Sequence, residues 1–444
     1  MRFFKKLRFL IRLFIAFFKK RSKGILIGLI LGIIFYIILP KLVKFLPRFR
    51  KIEKIGIVGK FSISEIPPNI LDKISIGLTS VLPNGNVVPE LCDRFEVSPD
   101  GKVYTFYFTE KKFFWHDGKK FAPEDINYNF KDAKLLPIDS QTLKIILKEP
   151  FSPFPTIVSQ PLFKRGLIGL GKYKVRKIER SGQMLKSILL VPDKKTDSSI
   201  LYYKFYLNDS QLRLGFKLGE INKIEELDQL KEFESWNNLS ISRSQSKNRQ
   251  VILFFNTQKD PLLDKNFRQA ISYSITKKES KERAISPISS LSWTYNPGVK
   301  KYEKDIAKAK LLLSKVKIQP NLKFSLYTLP SLENEAIKIK EEMELLGLNI
   351  EIKISSIIPN DFDFFLAVRE IPSDPDQYQF WHTGQRFNIS SFSNPRIDKL
   401  LEDGRKTLNQ DERKKIYFDF QRFLVEESPA IFLYYPSYNS IERN

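Results

Sequence analysis

Apolar positions between residues 321 and 368 change period twice. Leu322, Phe324 and Leu326 alternate as in a strand; Ala336, Ile339, Met343 and Leu346 then follow at helical spacing within 332–346, where Gly347 is placed to close the helix. Ile350, Ile352 and Ile354 alternate again, ahead of the mostly apolar run DFDFFLAV. A strand, a helix and a strand in this order predict a parallel sheet with right-handed crossovers. Further on, Asn409 is a side-chain cap for a helix with Asp411 and Glu412 in its first turn. Its core stripe is Ile416, Phe420, Phe423 and Leu424, and Ser428-Pro429 stops it.

The first half of the chain alternates differently. Residues 103–109, VYTFYFT, are dense in β-branched and aromatic side chains and follow the turn SPDG at 98–101, which predicts a hairpin. Asp117-Gly118 marks a second turn, and Pro123 with Glu124 and Asp125 suits the start of a helix whose apolar stripe is Ile126 and Phe130. His116 and Asp117 sit in the turn. With only His116, His382 and the single Cys92 in the whole chain, a chemical role for them lacks partners, so they read as a corner. One cysteine also excludes an intramolecular disulfide framework and a cysteine-based metal site.

Charge changes the picture at one end. The chain has 444 residues and a formal charge of +24, but residues 1–51 hold 14 Lys and Arg and no acid, which leaves 60 basic against 50 acidic residues for the other 393. Residues 24–39, GILIGLILGIIFYIIL, are sixteen uncharged positions in a row behind a basic segment 1–23. As a helix they span about 24 Å, short of a hydrocarbon core of about 30 Å. Leu42, Val43, Phe45 and Leu46 extend the span while Lys41 and Lys44 snorkel. The expectation is a single-pass signal anchor over 24–46, with the N-terminus cytoplasmic and everything beyond about residue 50 outside the cell.

Four blocks in order carry a family resemblance. They are residues 77–130, GLTSVLPNGNVVPELCDRFEVSPDGKVYTFYFTEKKFFWHDGKKFAPEDINYNF; 253–275, LFFNTQKDPLLDKNFRQAISYSI; 293–313, WTYNPGVKKYEKDIAKAKLLL; and 374–435, beginning DPDQYQFWHTGQRF. The chain resembles the extracytoplasmic solute-binding proteins of the oligopeptide, dipeptide and nickel class (family 5) that serve ABC importers. The resemblance implies a two-lobed α/β fold of the periplasmic-binding-protein-like kind (type II). The expected division is lobe I over 52–258 with an extra subdomain at about 90–165, lobe II over 259–435, and a tail over 436–444. Two departures stand out: Ala122 cannot cap where the family commonly has Thr or Ser, and the chain stops nine residues after Tyr435, whereas family chains return from the second lobe to complete the first.

In such a protein function follows from a cleft rather than a reactive side chain. A capture cleft needs aromatic walls and a few polar groups that become buried on closure. The resemblance places the ligand-facing loop near SDPDQYQFWHTG, so Trp293, Tyr295, Tyr378, Trp381 and Phe387 are expected as walls, with His382 and Arg386 as polar lining. In peptide-binding members an acid a few positions before the Asp-Pro turn meets the peptide's amino group. Here that position is Ile371, which leaves Glu370 and Asp374 as candidate anchors. The expected ligand is a peptide or similar small solute, the expected partner an ABC permease, and the expected state a monomer without cofactor, resident metal or enzymatic activity. Three other readings stay open: an orphan sensor or scaffold with the same fold, an enzyme using the SDPD carboxylates, and a nucleic-acid binder. The last is disfavoured by a net charge of only +10 outside the N-terminal segment.

Overall fold

The computed structural model describes residues 50–109, 113–194, 198–278 and 282–444, together with positions 19–24, 27–28, 32 and 35–36. Residues Ile52–Asn444 form one compact unit and Met1–Lys51 another. The described positions between 19 and 36 are helical. Most of the expected span 24–46 lies outside the described residues, and among those that are described no helix is long and apolar enough to cross a membrane.

The strands of the larger unit are β1 (Ile52–Val58), β2 (Thr79–Val81), β3 (Val87–Pro89), β4 (Arg94–Val97), β5 (Val103–Tyr107), β6 (Ala133–Asp139), β7 (Thr142–Leu147), β8 (Tyr173–Ser181), β9 (Met184–Pro192), β10 (Ile200–Tyr206), β11 (Lys223–Leu227) and β12 (Leu239–Gln245). They continue with β13 (Arg249–Phe255), β14 (Lys323–Thr328), β15 (Asn349–Ile354), β16 (Phe364–Glu370), β17 (Ala430–Tyr434) and β18 (Ser437–Arg443). Among the described residues they build a seven-stranded sheet in the order β12-β18-β11-β1-β10-β9-β8, a five-stranded sheet β15-β14-β16-β13-β17, a four-stranded sheet β4-β5-β7-β6 and the hairpin β2-β3.

The five-stranded sheet shows most directly why the sequence folds as it does. In β13, Ile252 and Phe254 pack on one face with Phe365, Ala367 and Phe432, while Val251, Leu253 and Phe255 pack on the other with Phe364, Leu366 and Ile431. Both faces are covered, so the strand reads as a continuous apolar run rather than an alternation. The strand, helix, strand order over 322–354 is present: β14 pairs parallel with β15 and β16, with the helix Glu333–Glu344 between. The helix Gln410–Glu427 lies against this sheet. Asn409 accepts from the backbone N–H groups of Asp411 and Glu412 at 3.0 and 3.1 Å, and the helix ends at Ser428, whose φ is +50°. Phe420 and Leu424 of its expected stripe are fully buried, joined by Tyr417 and Gln421.

Corrections fall in the first lobe and at its boundary. The segment 436–444, expected as a tail, contains β18, which pairs antiparallel with both β11 and β12 in the interior of the seven-stranded sheet. The chain therefore does return to complete the first lobe, in seven residues. β13, placed in lobe I by the expected division, belongs to the second sheet. The chain crosses between the two large sheets at 246–248 and again at 435–436. The crossings touch: Ser246 N donates to Pro436 O at 2.9 Å, and Gln245 Nε2 donates to Tyr435 O at 3.3 Å.

The expected helix after Pro123 is only a single 3₁₀ turn, Pro123–Asp125, beyond which Ile126 is extended. Ala122 offers no side-chain cap. The Asp125 carboxylate is instead occupied by Trp115 Nε1 at 2.9 Å, Ala122 N at 3.1 Å and Lys164 Nζ at 3.1 Å. His116 holds the same corner: its Nδ1 accepts from Gly169 N at 3.3 Å, which leaves Nε2–H to donate to Gly171 O at 3.0 Å.

Candidate functional site

Between the elements of the two lobes lies a space of about 820 Å³. Its first-lobe wall comes from the helix Pro68–Ile74, the segment 75–81, Glu90, and residues 151–161; its second-lobe wall is 372–380 with Arg405. Two further spaces share lining residues with it. One of about 420 Å³ shares Val81, Pro372 and Ser373; one of about 780 Å³ shares Phe151, Ile157 and Arg405. The three make a groove with a central compartment and two arms.

Close backbone approach shapes the first-lobe wall. At Gly77 a Cβ would sit 2.4 Å from the Ser159 carbonyl oxygen, so only glycine lets segment 75–81 lie flat on residues 158–159. The turn Asn84-Gly85 reaches the second lobe: Gly85, at φ +83°, would place a Cβ 2.5 Å from Ser373 O, and Trp293 N donates to Asn84 O at 3.0 Å. A second bridge forms where Ser152 N donates to Arg405 O at 2.7 Å and Ser152 Oγ to Gly404 O at 3.0 Å, which satisfies carbonyls at the end of the helix Pro395–Lys406.

In the second-lobe wall the SDPD turn is a chain of side-chain-to-backbone bonds. Asp374 Oδ1 accepts from Asp376 N at 2.8 Å, and Asp376 Oδ1 accepts from Tyr378 N at 3.0 Å. Each carboxylate also has its own arginine. Arg413 grips Asp374 with two bonds, Nη1–Oδ2 at 3.0 Å and Nη2–Oδ1 at 2.6 Å, both side chains being buried. Burial disfavours the charged guanidinium, but the charge and hydrogen bonds of Asp374 outweigh it and hold the Arg413 pKa above its ordinary value. Arg405 Nε bonds Asp376 Oδ2 at 2.9 Å, with its guanidinium 3.9 Å from the Tyr378 ring centre and 5.4 Å from that of Phe151.

Asp72 and Glu90, on the opposite wall, form no ion pair among the described residues. Both side chains reach solvent in the open groove. Partial burial against the wall raises the pKa of Asp72, opposed in part by Lys73. It likewise raises Glu90, where a hydrogen bond from Ser80 opposes and the charge of Asp72 adds.

The residues expected from sequence are scattered by this geometry. Asp374 lines the central space, but its charge is consumed by Arg413. Tyr378 lines the 780 Å³ arm. Glu370 ends β16 with its side chain 78% exposed and facing Arg249 at 3.5 Å, outside all three spaces. Trp381 is 1% exposed and packs against Phe254 and Phe432, so it belongs to the core of the second lobe. His382 stacks on Tyr378 and turns to Thr383 O at 2.9 Å and Glu402 at 3.3 Å. Trp293 packs by the Asn84-Gly85 turn. Burial pushes the half-buried Tyr295 up to about 12, and Arg386 and Phe387 are exposed neighbours outside the three spaces. Residues that line the groove and that sequence reasoning missed include Asp72, Glu90, Phe151, Asp376, Phe380 and Arg405.

Two α/β lobes joined by paired crossings around a groove are the architecture expected of a solute-binding protein. The chain belongs to the family described as bacterial extracellular solute-binding proteins, family 5 Middle, whose description matches residues 86–388. It is 24% identical over 418 residues to the probable D,D-dipeptide-binding periplasmic protein DdpA of Escherichia coli (strain K12), covering 80% of each chain. It is 21% identical over 472 residues to the dipeptide-binding protein of the same organism, covering 84% of each. Its fold is similar to that of NikZ from Campylobacter jejuni, solved in complex with Ni(L-His), with a TM-score of 0.75, 23% identity, and coverage of 90% of this chain and 95% of that one. The fold is also similar to that of the oligopeptide-binding protein AppA from Bacillus subtilis, solved with a nonapeptide, at a TM-score of 0.70, 19% identity, and coverage of 90% and 95%.

Proposed function

We propose that this chain captures peptides outside the cell, as a monomer, in the groove between its lobes and delivers them to an ABC permease. The observation that carries this reading is the three-part groove itself. Its central compartment is walled by both lobes, and its arms extend beyond Phe151 and Arg405 on one side and beyond Ser373 on the other. An extended chain suits such a shape, because its repeating backbone groups can be met in the same way whatever its side chains are. Closure of the lobes would turn a modest open contact surface into a largely buried one, provided the ligand binds the closed form better.

Residues 24–46 would tether the domain to the outer face of the membrane, keeping captured ligand near the permease at raised effective concentration. Small-angle scattering on residues 52–444 with and without a co-purified peptide identified by mass spectrometry tests the capture step. A smaller radius with ligand is expected, and an unchanged radius with confirmed binding would remove the clamp. Protease added to intact cells tests the tether: residues beyond 50 are cut while Arg2–Lys23 survives. If metal analysis of the purified protein finds stoichiometric nickel and no peptide, the ligand class is wrong.

A further inference from the structure

Away from the groove, a separate cavity of about 180 Å³ lies on the second lobe, where the chain leaving the helix Lys265–Ser274 meets the helix Glu333–Glu344 and β17. It shares no lining residue with the three spaces of the groove. Ile339 and Leu433 give it an apolar side, and Lys277, Lys278 and Lys338 line it as well. Of its two acids, Glu342 is already taken, by Lys304 Nζ at 2.7 Å and Thr276 N at 2.8 Å; Glu335 is in no ion pair among the described residues. Lys277 is the unusual member. Its part-buried Nζ donates to Ser272 O at 2.6 Å and Ile275 O at 2.7 Å, which caps the end of the helix. A charged amine has three N–H donors. Among the described residues the third has no partner, and the amine has no carboxylate of its own. The neighbouring cations are provided for, Arg283 by Glu303 at 2.6 Å and Lys304 by Glu342. Burial above all, and then the charge of Arg283, push the Lys277 pKa down to about 7; Glu342 and Glu303 oppose this and Lys304 adds to it.

We infer that this cavity is a second ligand site, which takes a short-chain carboxylate with its charge on Lys277 and its alkyl tail on Ile339 and Leu433. It goes beyond the peptide reading above and does not depend on it. Capping the helix accounts for two N–H groups of Lys277, but it leaves the charged amine beside an open space without a counter-ion. A carboxylate supplies the counter-ion and an acceptor for the third N–H in one group. Lys278 and Lys338 outnumber Glu335 and favour the same sign of guest. An inorganic anion would satisfy the amines and leave the apolar side against water, so the tail is what selects an organic acid. Because the amine loses its charge near neutrality, binding and protonation are linked: the anion favours the charged amine and draws a proton from solution above pH 7.

The test titrates butyrate into residues 52–444, a compact unit of their own, by calorimetry at pH 8 in two buffers of different ionisation enthalpy, with butyramide as the uncharged control. Saturable binding on the order of millimolar, with uptake of part of a proton, is expected for butyrate and none for butyramide. Lys277→Met should weaken butyrate about ten-fold and abolish the proton uptake. In Lys277→Arg, whose guanidinium stays charged, butyrate should still bind while the uptake disappears. A lysine that only caps its helix would move neither quantity. The arginine variant and the proton count of the unmodified protein decide the matter if Lys277→Met does not fold. Binding that is unchanged in both variants, or that carries no proton in the unmodified protein, places butyrate elsewhere; it overturns this site and leaves the peptide reading as it stands. No saturable binding well above the millimolar range means that the cavity holds water only, and overturns the site as well. Failure of peptide capture in the tests above would leave these outcomes unchanged.

Discussion

The two walls of the groove carry acids in opposite states. On the second-lobe side Asp374 and Asp376 each have an arginine, turn bonds to the backbone and aromatic cover. On the first-lobe side Asp72 and Glu90 form no ion pair among the described residues: Lys73 acts on Asp72 only as a nearby charge, and Glu90 has a hydrogen bond from Ser80. The same functional group is locked into ion pairs on one wall and carries none among the described residues on the other. Position in a groove does not make a carboxylate a ligand site; what decides is whether the fold has already satisfied it.

The largest expected effect comes from breaking the satisfied wall. Arg413→Met leaves Asp374 buried without its cation, which should cost about 3–5 kcal/mol in denaturant unfolding of residues 52–444. A loss under about 1 kcal/mol would mean the pair is not the structural element described. Arg405→Ala removes a less buried partner, Asp376 keeping one backbone bond, and about 1.5–3 kcal/mol is expected. Asp72→Asn/Glu90→Gln should shift stability by less than about 1 kcal/mol at neutral pH, and toward greater stability because mutual repulsion disappears. A substantial destabilisation would assign these acids a structural role after all.

The smallest effect is a slope in pH. Because the folded pKa values of Asp72 and Glu90 lie above their ordinary 3.8 and 4.5, the folded state holds those protons more tightly than the unfolded one. Their contribution is present below those ordinary values and is lost as pH rises through the raised folded ones. Unfolding measured between pH 3.5 and neutrality, against the double variant, should show the unmodified protein losing a fraction of a kcal/mol that the variant keeps, about what part-exposed groups contribute. Parallel curves for the two proteins would remove the shift.

Legibility from sequence followed the range of the physics. Elements set by local rules were readable: the strand, helix, strand run of 322–354, the Asn409 cap, the Ser428 stop and the His116 corner each depend on residues a few positions apart. The helix after Pro123 was misread because the Asp125 carboxylate is taken by Trp115, ten positions back, and by Lys164. Site residues fared worst. Trp381 and Tyr378 are three apart on one short helix, yet one faces the core and the other the groove, and only the packed sheet behind them decides which. Asp72 lies between Ile70 and Ile74, ordinary core positions of a short helix, with no local sign that the opposite lobe stands across from it. The ion pair that holds Asp374 joins residues 39 positions apart.

Strand β18 sets an order of events. Its partners β11 and β12 lie some two hundred residues upstream, and it sits between them rather than at an edge. Until β18 has been made, β11 and β12 lack the strand that lies between them, and their facing edges hold unmatched donors and acceptors. Filling that row joins segments far apart along the chain, so the first lobe closes by a non-local and therefore slow pairing step.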